Sequence, residues 1–366
     1  QTMIMLFQKN KVENYDFEYK QITTKKPELN DALDVINNNR TKNNQIIKSI
    51  VDKQNALNTT LTFNDKEVEK ICLKICNANK CYLEKDDVAQ GIVPNPDVVN
   101  SRNILLLDED VIKKENIKIG DGVFVVNNKF AEKNSIPFSE QKYLKRLYEP
   151  YQIKRYYMES TDNKIIYINK KSFNDDAPKI LQHLKKFEPI MDERRENKNG
   201  RLNYYHLHWP RSEYFFEKGE KVISVRKCDK PTFHYFEEEA YFMMAVNIIK
   251  SKCFNHKFLT GLLNSKLIEF WLRYKGKMQG NNFQIDKEPL LNIPIIKATK
   301  EQEQKIETLV NQILSAKANN PEAETSDLEA EIDVLVYKLY GLTYDEVLVV
   351  DEEFGVSEVE YENFEI

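Results

Sequence analysis

The sequence is poor in histidine and cysteine, the residues that most often bind zinc. It holds five of each in 366 residues, and no two cysteines form a Cys-x-x-Cys pair. Cys72 and Cys76 are one helical turn apart, but no histidine lies near either of them in the sequence to complete a set of ligands. We therefore interpret the cysteines as reduced thiols of a cytoplasmic protein and predict no metal-binding residues.

The short motifs of methyl transfer are also missing. A SAM-dependent amino-methyltransferase needs a Gly-rich turn for the cofactor and a Pro-Pro-aromatic loop that holds a flipped adenine. The chain has no Pro-Pro dipeptide, and Asn95-Pro96-Asp97 lacks both the second proline and the aromatic residue. Gly120-Asp121-Gly122 fits a hairpin turn better than a cofactor loop, and no Walker-type Gly-Lys-Ser/Thr loop occurs. We predict no catalytic and no cofactor-binding residues in this chain.

Two further groups have the residue types of a metal site without its full pattern. Asp108-Glu109-Asp110, followed by Lys113 and Lys114, resembles the carboxylates and lysine of a Mg-dependent nuclease, but acidic turns of this kind are common. His206 and His208 would share one face if Tyr204–Trp209 formed a strand, but no third ligand is evident. We favour an acidic turn for the first group and a structural or DNA-facing pair for the second.

Long hydrophobic runs are absent as well. No stretch approaches the roughly 18 apolar residues of a transmembrane helix, and no signal peptide is visible, so we predict no membrane association. The chain begins at Gln1, directly before the apolar run Met3–Phe7. We interpret residues 1–25 as the last strands of a truncated methyltransferase domain.

Charge is distributed very unevenly along the chain. Residues 140–280 hold 28 basic and 18 acidic side chains, a net charge of +10, whereas residues 301–366 hold 3 and 18, a net charge of −15. The overall charge of −4 hides this contrast. A basic central segment is the electrostatic pattern expected of a protein that binds nucleic acid, although charge alone also fits a solvated surface.

Hydrophobic periodicity predicts an α+β protein in which helices flank a mixed central domain. Apolar residues at helical spacing predict a helical linker over 26–80, including Ile46, Ile47, Ile50 and Val51. Residues 81–300 form the mixed domain, and 301–366 form a helical C-terminal element with a poorly ordered acidic tail. Within the mixed domain we predict strands at 104–107, 123–126, 164–168, 222–225 and 232–236, and helices at 178–199 and 258–274.

The basic segment interleaves arginine and lysine with aromatic and amide residues. Lysine and arginine neutralise phosphates, arginine pairs with guanine and Asn or Gln with adenine, and glycine lets a loop approach the DNA backbone. Any one cluster could equally be a solvated loop. Together, the clusters favour DNA binding, and they are Lys154-Arg155-Tyr156, the loop Arg194–Arg201, Trp209-Pro210-Arg211, Arg226-Lys227 and the segment Lys275–Asn282.

Two neighbouring motifs then identify a family. One is Leu262-Leu263-Asn264-Ser265-Lys266 in a helix, and the other, after the Gly-rich turn Gly276–Gly280, is Ile285–Leu290 with Ile293-Pro294-Ile295. Together they resemble the TaqI-like C-terminal specificity domain. That domain occurs in type IIG restriction–modification enzymes and related adenine-specific DNA methyltransferases. Further landmarks are Gln90-Gly91-Ile92, Gly122–Val126, Ile153–Tyr156, Trp209-Pro210-Arg211 and the ending Ile332–Thr343. After Ile92, however, Val93-Pro94 stands where many relatives have Thr-Gly, which puts the role of that loop in doubt.

The resemblance implies that this chain is the target-recognition part of a larger enzyme. The parent enzyme would transfer methyl from SAM to the amino group of adenine, and would use Mg²⁺ if it also cleaved DNA. The partners implied are double-stranded DNA and the missing methyltransferase domain. We predict DNA contacts by Arg146, Lys154, Arg155, Tyr156, Arg194, Arg195, Lys198, Arg201, Arg211, Arg226, Lys275, Lys277, Gln279, Asn281 and Asn282.

A module for protein interaction remains the alternative. Its long predicted helices, over 258–274 and 301–340, would pack on partner subunits and assemble a restriction–modification complex, as in type I specificity subunits. The two hypotheses differ in their response to salt. Binding through several phosphates weakens steeply as salt rises, whereas an apolar helix interface does not.

Overall fold

The computed structural model describes residues 14–24, 26–52 and 64–366. The strand predicted at residues 3–7 lies outside these ranges. The chain divides into two compact units, the first formed by residues 1–80 with 340–365 and the second by residues 81–339 with Ile366. Among the described residues, no helix combines the length and the apolarity that crossing a lipid bilayer requires. The α+β class predicted from the sequence is confirmed.

The first unit combines two long strands with short helices. Strands β1 and β2 pair antiparallel over their full lengths, from Asn14 opposite Asp52 to Ile22 opposite Asn44. The elements of this unit are β1 (Asn14–Ile22), α1 (Leu29–Ile36), β2 (Asn44–Asp52), α2 (Lys66–Asn77), α13 (Tyr344–Val350) and α14 (Glu358–Glu362).

Two sequence predictions for this unit are wrong. Ile46, Ile47, Ile50 and Val51 were expected in a helix, but they lie in β2 because the paired strand β1 provides long-range hydrogen bonds that local periodicity does not reveal. The acidic tail was expected to be poorly ordered. It forms α14 instead, in which the Tyr361 ring is fully buried and its hydroxyl donates to the carbonyl of Leu342 at 2.9 Å.

The second unit is built mainly on short strands. They are β4 (Val88–Gln90), β5 (Val125–Asn127), β6 (Leu144–Tyr148), β7 (Ile153–Lys154), β8 (Tyr157–Met158), β9 (Asn163–Ile166), β10 (Lys221–Val225), β11 (Lys227–Cys228), β12 (Phe233–Phe236), β13 (Tyr241–Phe242), β14 (Val246–Ile249), β15 (Met278–Gln279), β16 (Asn282–Gln284) and β17 (Ile295–Ile296). Strand β3 (Lys80–Cys81) precedes them in the chain.

These strands form two four-stranded sheets, with the orders β12-β10-β14-β4 and β13-β6-β9-β5. A smaller sheet has the order β11-β16-β15, and β7 and β8 form a separate hairpin.

One hydrophobic core joins the two larger sheets. Ile223 and Ile248 of the first sheet and Leu147 and Ile165 of the second are buried in the same cluster. The helices of this unit are α3 (Glu109–Glu115), α4 (Phe130–Lys133), α5 (Pro178–Lys185), α6 (Glu188–Asp192), α7 (Arg195–Lys198), α8 (His256–Asn264), α9 (Lys266–Lys275), α10 (Lys287–Leu291), α11 (Lys300–Asn319) and α12 (Ser326–Leu339).

The helix predicted over 258–274 is interrupted at Ser265. The Ser265 hydroxyl donates to the carbonyl of Leu262 at 2.7 Å and accepts from the N–H of Ile268 at 3.3 Å, so it closes α8 and caps α9. The Asn264 amide donates to the carbonyl of Phe233 at 2.8 Å and accepts from its N–H at 3.0 Å. Asn264 of the family motif therefore fixes α8 to strand β12, and Ser265 forms the junction between α8 and α9.

Two other element predictions are also corrected. Residues 104–107 were expected to form a strand, but Asn103–Leu106 is a short 3-10 helix. The Asn103 amide donates to the carbonyl of Val98, and its side-chain oxygen accepts from the N–H of Asn100.

The helix expected over 178–199 is divided into α5, α6 and α7. Pro189 in the first turn of α6 cannot donate a helical hydrogen bond, which favours a break between α5 and α6, and the extended backbone of Arg194 separates α6 from α7.

Gly91 lies where two backbone segments meet closely. Its N–H donates to the carbonyl of Val246, and a Cβ built on it would lie 2.2 Å from the carbonyl oxygen of Met243 and 2.4 Å from that of Phe242. Real Cβ atoms do not approach backbone oxygens this closely. Glycine in the Gln90-Gly91-Ile92 landmark is therefore required by packing.

We predict that Gly91→Ala lowers the free energy of unfolding by about 3 kcal/mol or more, because backbone on both sides of the new methyl group must shift. Urea denaturation followed by circular dichroism measures the change. Gly355→Ala is the matched control, since a Cβ at Gly355 has no heavy atom within 4 Å. Equal stability of the two variants would contradict the close packing at Gly91.

Candidate nucleic-acid interface

A buried arginine organises the loops of the basic segment. Arg194 has five N–H donors, and the structure provides five backbone carbonyl acceptors at 3.0–3.4 Å. Burial lowers the pKa of Arg194 to about 10, so its guanidinium remains charged near pH 7. It therefore ties together three chain segments, and the acceptors are the carbonyls of Met191, Asn95, Asn203, Tyr204 and His206.

Three basic residues that follow Arg194 in the sequence are exposed. Arg195, Lys198 and Arg201 surround Gly200, whose φ of +66° completes a tight turn that favours glycine. Lys198 lies 2.7 Å from a carboxylate oxygen of Glu193. Within the described residues, no carboxylate lies within ion-pair distance of the guanidinium groups of Arg195 and Arg201. We call residues 195–201 the basic loop.

The two histidines of this region have separate partners. Tyr204–Trp209 was considered as a strand, but it is irregular, so His206 and His208 do not share a strand face. Burial lowers the pKa of His206 to about 4, and its Nδ1 accepts from the N–H of Asn203 at 3.0 Å. His208 Nε2 lies 2.6 Å from Glu196 Oε2, which links this segment to the basic loop.

A second group of predicted residues lies on the hairpin β15–β16. Gln279 pairs with Asn282 across the two-residue turn Gly280-Asn281, and Gly280 has a φ of +62°. The side chains of Gln279 and Asn281 are exposed, and Asn282 is half-buried. This hairpin therefore presents three amides at one tip.

Asp286 fixes the base of that hairpin. Its carboxylate accepts from Arg226 Nε at 3.2 Å, from Lys277 Nζ at 3.2 Å and from the amide of Gln284 at 2.8 Å. Burial alone would raise its pKa, but the hydrogen bonds from Arg226 and Lys277 hold the pKa of Asp286 below its usual value. Sequence reasoning missed Asp286, although it follows the predicted basic residues within the family motif.

The hairpin β7–β8 has a structural role instead. Tyr156, with a φ of +62°, is buried, and burial raises the pKa of its hydroxyl. Arg155 donates to the carbonyl of Asn264 and lies 3.5 Å from Glu329, so it neutralises the C-terminal end of α8. Lys154 is exposed and lies 3.4 Å from Glu159.

The remaining predicted residues lie in separate places. Arg146 is exposed on β6 beside Lys164 of β9. Arg211 is half-buried, and its Nε donates to the carbonyl of Gly91 at 3.3 Å. Lys275 is half-buried at the end of α9. The structure thus brings the predicted residues into two exposed groups, the basic loop and the hairpin β15–β16, and gives Arg155, Tyr156 and Arg194 positions inside the protein.

We expect Arg194→Lys to lower the free energy of unfolding by about 2–4 kcal/mol, because a single ammonium cannot satisfy five carbonyls in three segments. Chemical denaturation measures the loss. The neighbouring substitution Arg195→Lys is the control and should leave stability unchanged, because Arg195 is exposed. A stable Arg194→Lys protein would show that the carbonyl network does not hold these loops.

The sequence is similar to those of two curated methyltransferases. A stretch of 139 residues is 30% identical to the type II methyltransferase M.HincII of Haemophilus influenzae and covers 34% of this chain and 28% of that protein. The type II methyltransferase M.HindII of H. influenzae strain Rd is likewise 30% identical over 139 residues, covering 34% of this chain and 27% of that protein. The chain thus spans under a third of the length of these curated relatives.

The fold also has a counterpart among solved structures. The type IIL restriction-modification enzyme MmeI, solved in complex with DNA, matches with a TM-score of 0.50 and 13% identity, over 76% of this chain and 37% of that one. Residues 126–295 match the family model of the TaqI-like C-terminal specificity domain, which confirms the resemblance seen in the sequence. Residues 126–295 are therefore similar to the TaqI-like C-terminal specificity domain.

Proposed function

We propose that this chain is the sequence-specific DNA-recognition part of a restriction–modification methyltransferase that acts in the cytoplasm. The observation that carries the proposal is the basic loop. Its Arg195 and Arg201 are exposed, no carboxylate of the described residues lies within ion-pair distance of them, and residues 126–295 match a specificity domain. Charged groups held in water on a rigid support are available for phosphates and base edges.

The residues divide by role according to their chemistry and exposure. We propose that Arg195, Arg201, Gln279, Asn281 and Asn282 read bases, because arginine and amide side chains form bidentate hydrogen bonds with base edges. Lys154, Lys198, Lys275, Lys277 and Arg146 would contact phosphates. Arg155, Tyr156, Arg194, Arg211 and Arg226 would position these groups, since each is buried or bound by other protein atoms.

The chemistry of the parent enzyme is a further proposal. We propose an adenine-specific DNA methyltransferase that transfers methyl from SAM, of type IIG if it also cleaves DNA with Mg²⁺. The support is that the curated relatives are named type II methyltransferases and that MmeI was solved as a restriction-modification enzyme in complex with DNA. The catalytic domain would be the second partner of this chain, besides double-stranded DNA.

The interaction-module alternative receives less support from the packing. An interaction helix needs an exposed apolar face, but the apolar stripe of α11 is buried within the second unit. There α11 packs on α8, where a Cβ on Gly261 would lie 2.7 Å from the Ile306 side chain and 3.0 Å from that of Val310. The apolar face of α11 is therefore part of the core of the second unit.

We expect the double substitution Arg195→Glu/Arg201→Glu to weaken duplex binding about 10- to 100-fold at 100 mM salt, because two attractive contacts become repulsive. Fluorescence anisotropy with a labelled duplex measures the affinity.

The control is Lys113→Glu/Lys114→Glu on α3, which makes the same change of charge at exposed positions outside the predicted set. It should weaken binding no more than a few-fold. An equal effect of the two double variants would show that only the overall charge matters and would contradict the assignment to the basic loop. Binding that does not depend on salt would favour the interaction module.

A further inference from the structure

The two tryptophans of the chain have opposite environments. Trp271 lies in α9 and is 7% exposed, as expected for a large apolar side chain. Trp209 is 49% exposed, although it lies in an ordered segment next to the buried Leu207. A half-exposed indole keeps a large apolar surface in water, and this surface is available to a ligand.

The backbone around Trp209 is held on both sides. Trp209 forms an antiparallel bridge with Val93. Two residues later, the carbonyl of Arg211 accepts from the hydroxyl of Tyr167 at 2.9 Å, and Arg211 Nε donates to the carbonyl of Gly91 at 3.3 Å. The indole is therefore presented on a fixed backbone, so little ordering of the backbone is needed when a ligand binds.

Trp209 also lies beside the basic loop. Its ring centroid is 5.1 Å from that of His208, and His208 Nε2 lies 2.6 Å from Glu196 between Arg195 and Lys198. An exposed aromatic ring therefore neighbours a loop in which, among the described residues, Arg195 and Arg201 have no carboxylate within ion-pair distance. Nucleic acid combines the two matching features, a chain of phosphates and apolar faces on bases and sugars.

We propose that Trp209 is a DNA-contacting residue whose indole packs on a base or deoxyribose while the basic loop binds the adjacent phosphates. The inference depends on the proposed DNA-recognition function and adds an apolar contact to it. His208 and Glu196 serve as positioning residues, since they connect the indole segment to the loop that carries Arg195 and Arg201.

Intrinsic tryptophan fluorescence tests the proposed contact between Trp209 and DNA. Trp271 is buried, so Trp209 is the tryptophan that a quencher in solution reaches. Acrylamide is a neutral quencher that does not screen phosphate contacts. On addition of duplex DNA, quenching of Trp209 by acrylamide should fall at least twofold. Stacking on a base would in addition quench the emission itself, whereas packing on a sugar would protect the indole without that loss; either result supports the contact.

Variants separate this contact from general binding. Trp209→Ala should lower DNA affinity about tenfold, and the melting temperature of the protein should not change. Trp209→Phe should retain most of the wild-type affinity, because phenylalanine keeps an aromatic face. Phe138→Ala is the control, since Phe138 is 90% exposed and lies outside the predicted clusters. Wild-type binding with unchanged acrylamide quenching and full affinity of Trp209→Ala would overturn this inference alone. Failure of the wild-type protein to bind any duplex at low salt would overturn the proposed function and this inference together.

Discussion

The buried guanidinium of Arg194 is the constraint on which the candidate interface depends. A charge inside a protein is costly unless every donor is satisfied, and Arg194 meets this requirement with carbonyls from three different segments. The segments cannot move apart without leaving a buried charge and several carbonyls unpaired. These hydrogen bonds therefore hold the neighbouring residues in place. The neighbouring residues include the basic loop and Trp209. Asp286 has the same role, with the opposite charge, at the base of the hairpin β15–β16.

The family motifs prove to be features of the scaffold. Asn264 and Ser265 join two helices to strand β12, Gly91 allows two backbones to meet, and Arg155 binds the end of α8. None of these side chains is among the exposed groups that we propose to contact DNA. A specificity domain benefits from this separation, because exposed loop residues can change without loss of the core. Among the landmark residues, we propose DNA contacts only for Lys154 and Trp209. The side chains that we propose to read bases lie outside the landmarks.

The sequence predicted the features that depend on local pattern. The α+β class and the strands at 164–168, 222–225 and 232–236 follow from hydrophobic periodicity. The sequence predictions were wrong where contacts between residues far apart in the chain determine the structure. Strand β2 needs β1, and the end of α8 is fixed by hydrogen bonds between Asn264 and Phe233, 31 residues away in the chain. One of the carbonyls that bind Arg194 belongs to Asn95, 99 residues away. In an Arg-rich segment, a buried structural arginine and an exposed DNA-binding one look the same in sequence.

The central claim is that a rigid scaffold presents exposed basic and amide side chains for sequence-specific reading of DNA. Selection of this protein's ligands from a pool of random duplexes, followed by sequencing, tests it most directly. The account predicts enrichment of one short asymmetric motif that contains an adenine, with binding that weakens as salt rises. Recovery of duplexes without any common motif would contradict sequence reading by this chain, and absence of binding at low salt would contradict the interface itself.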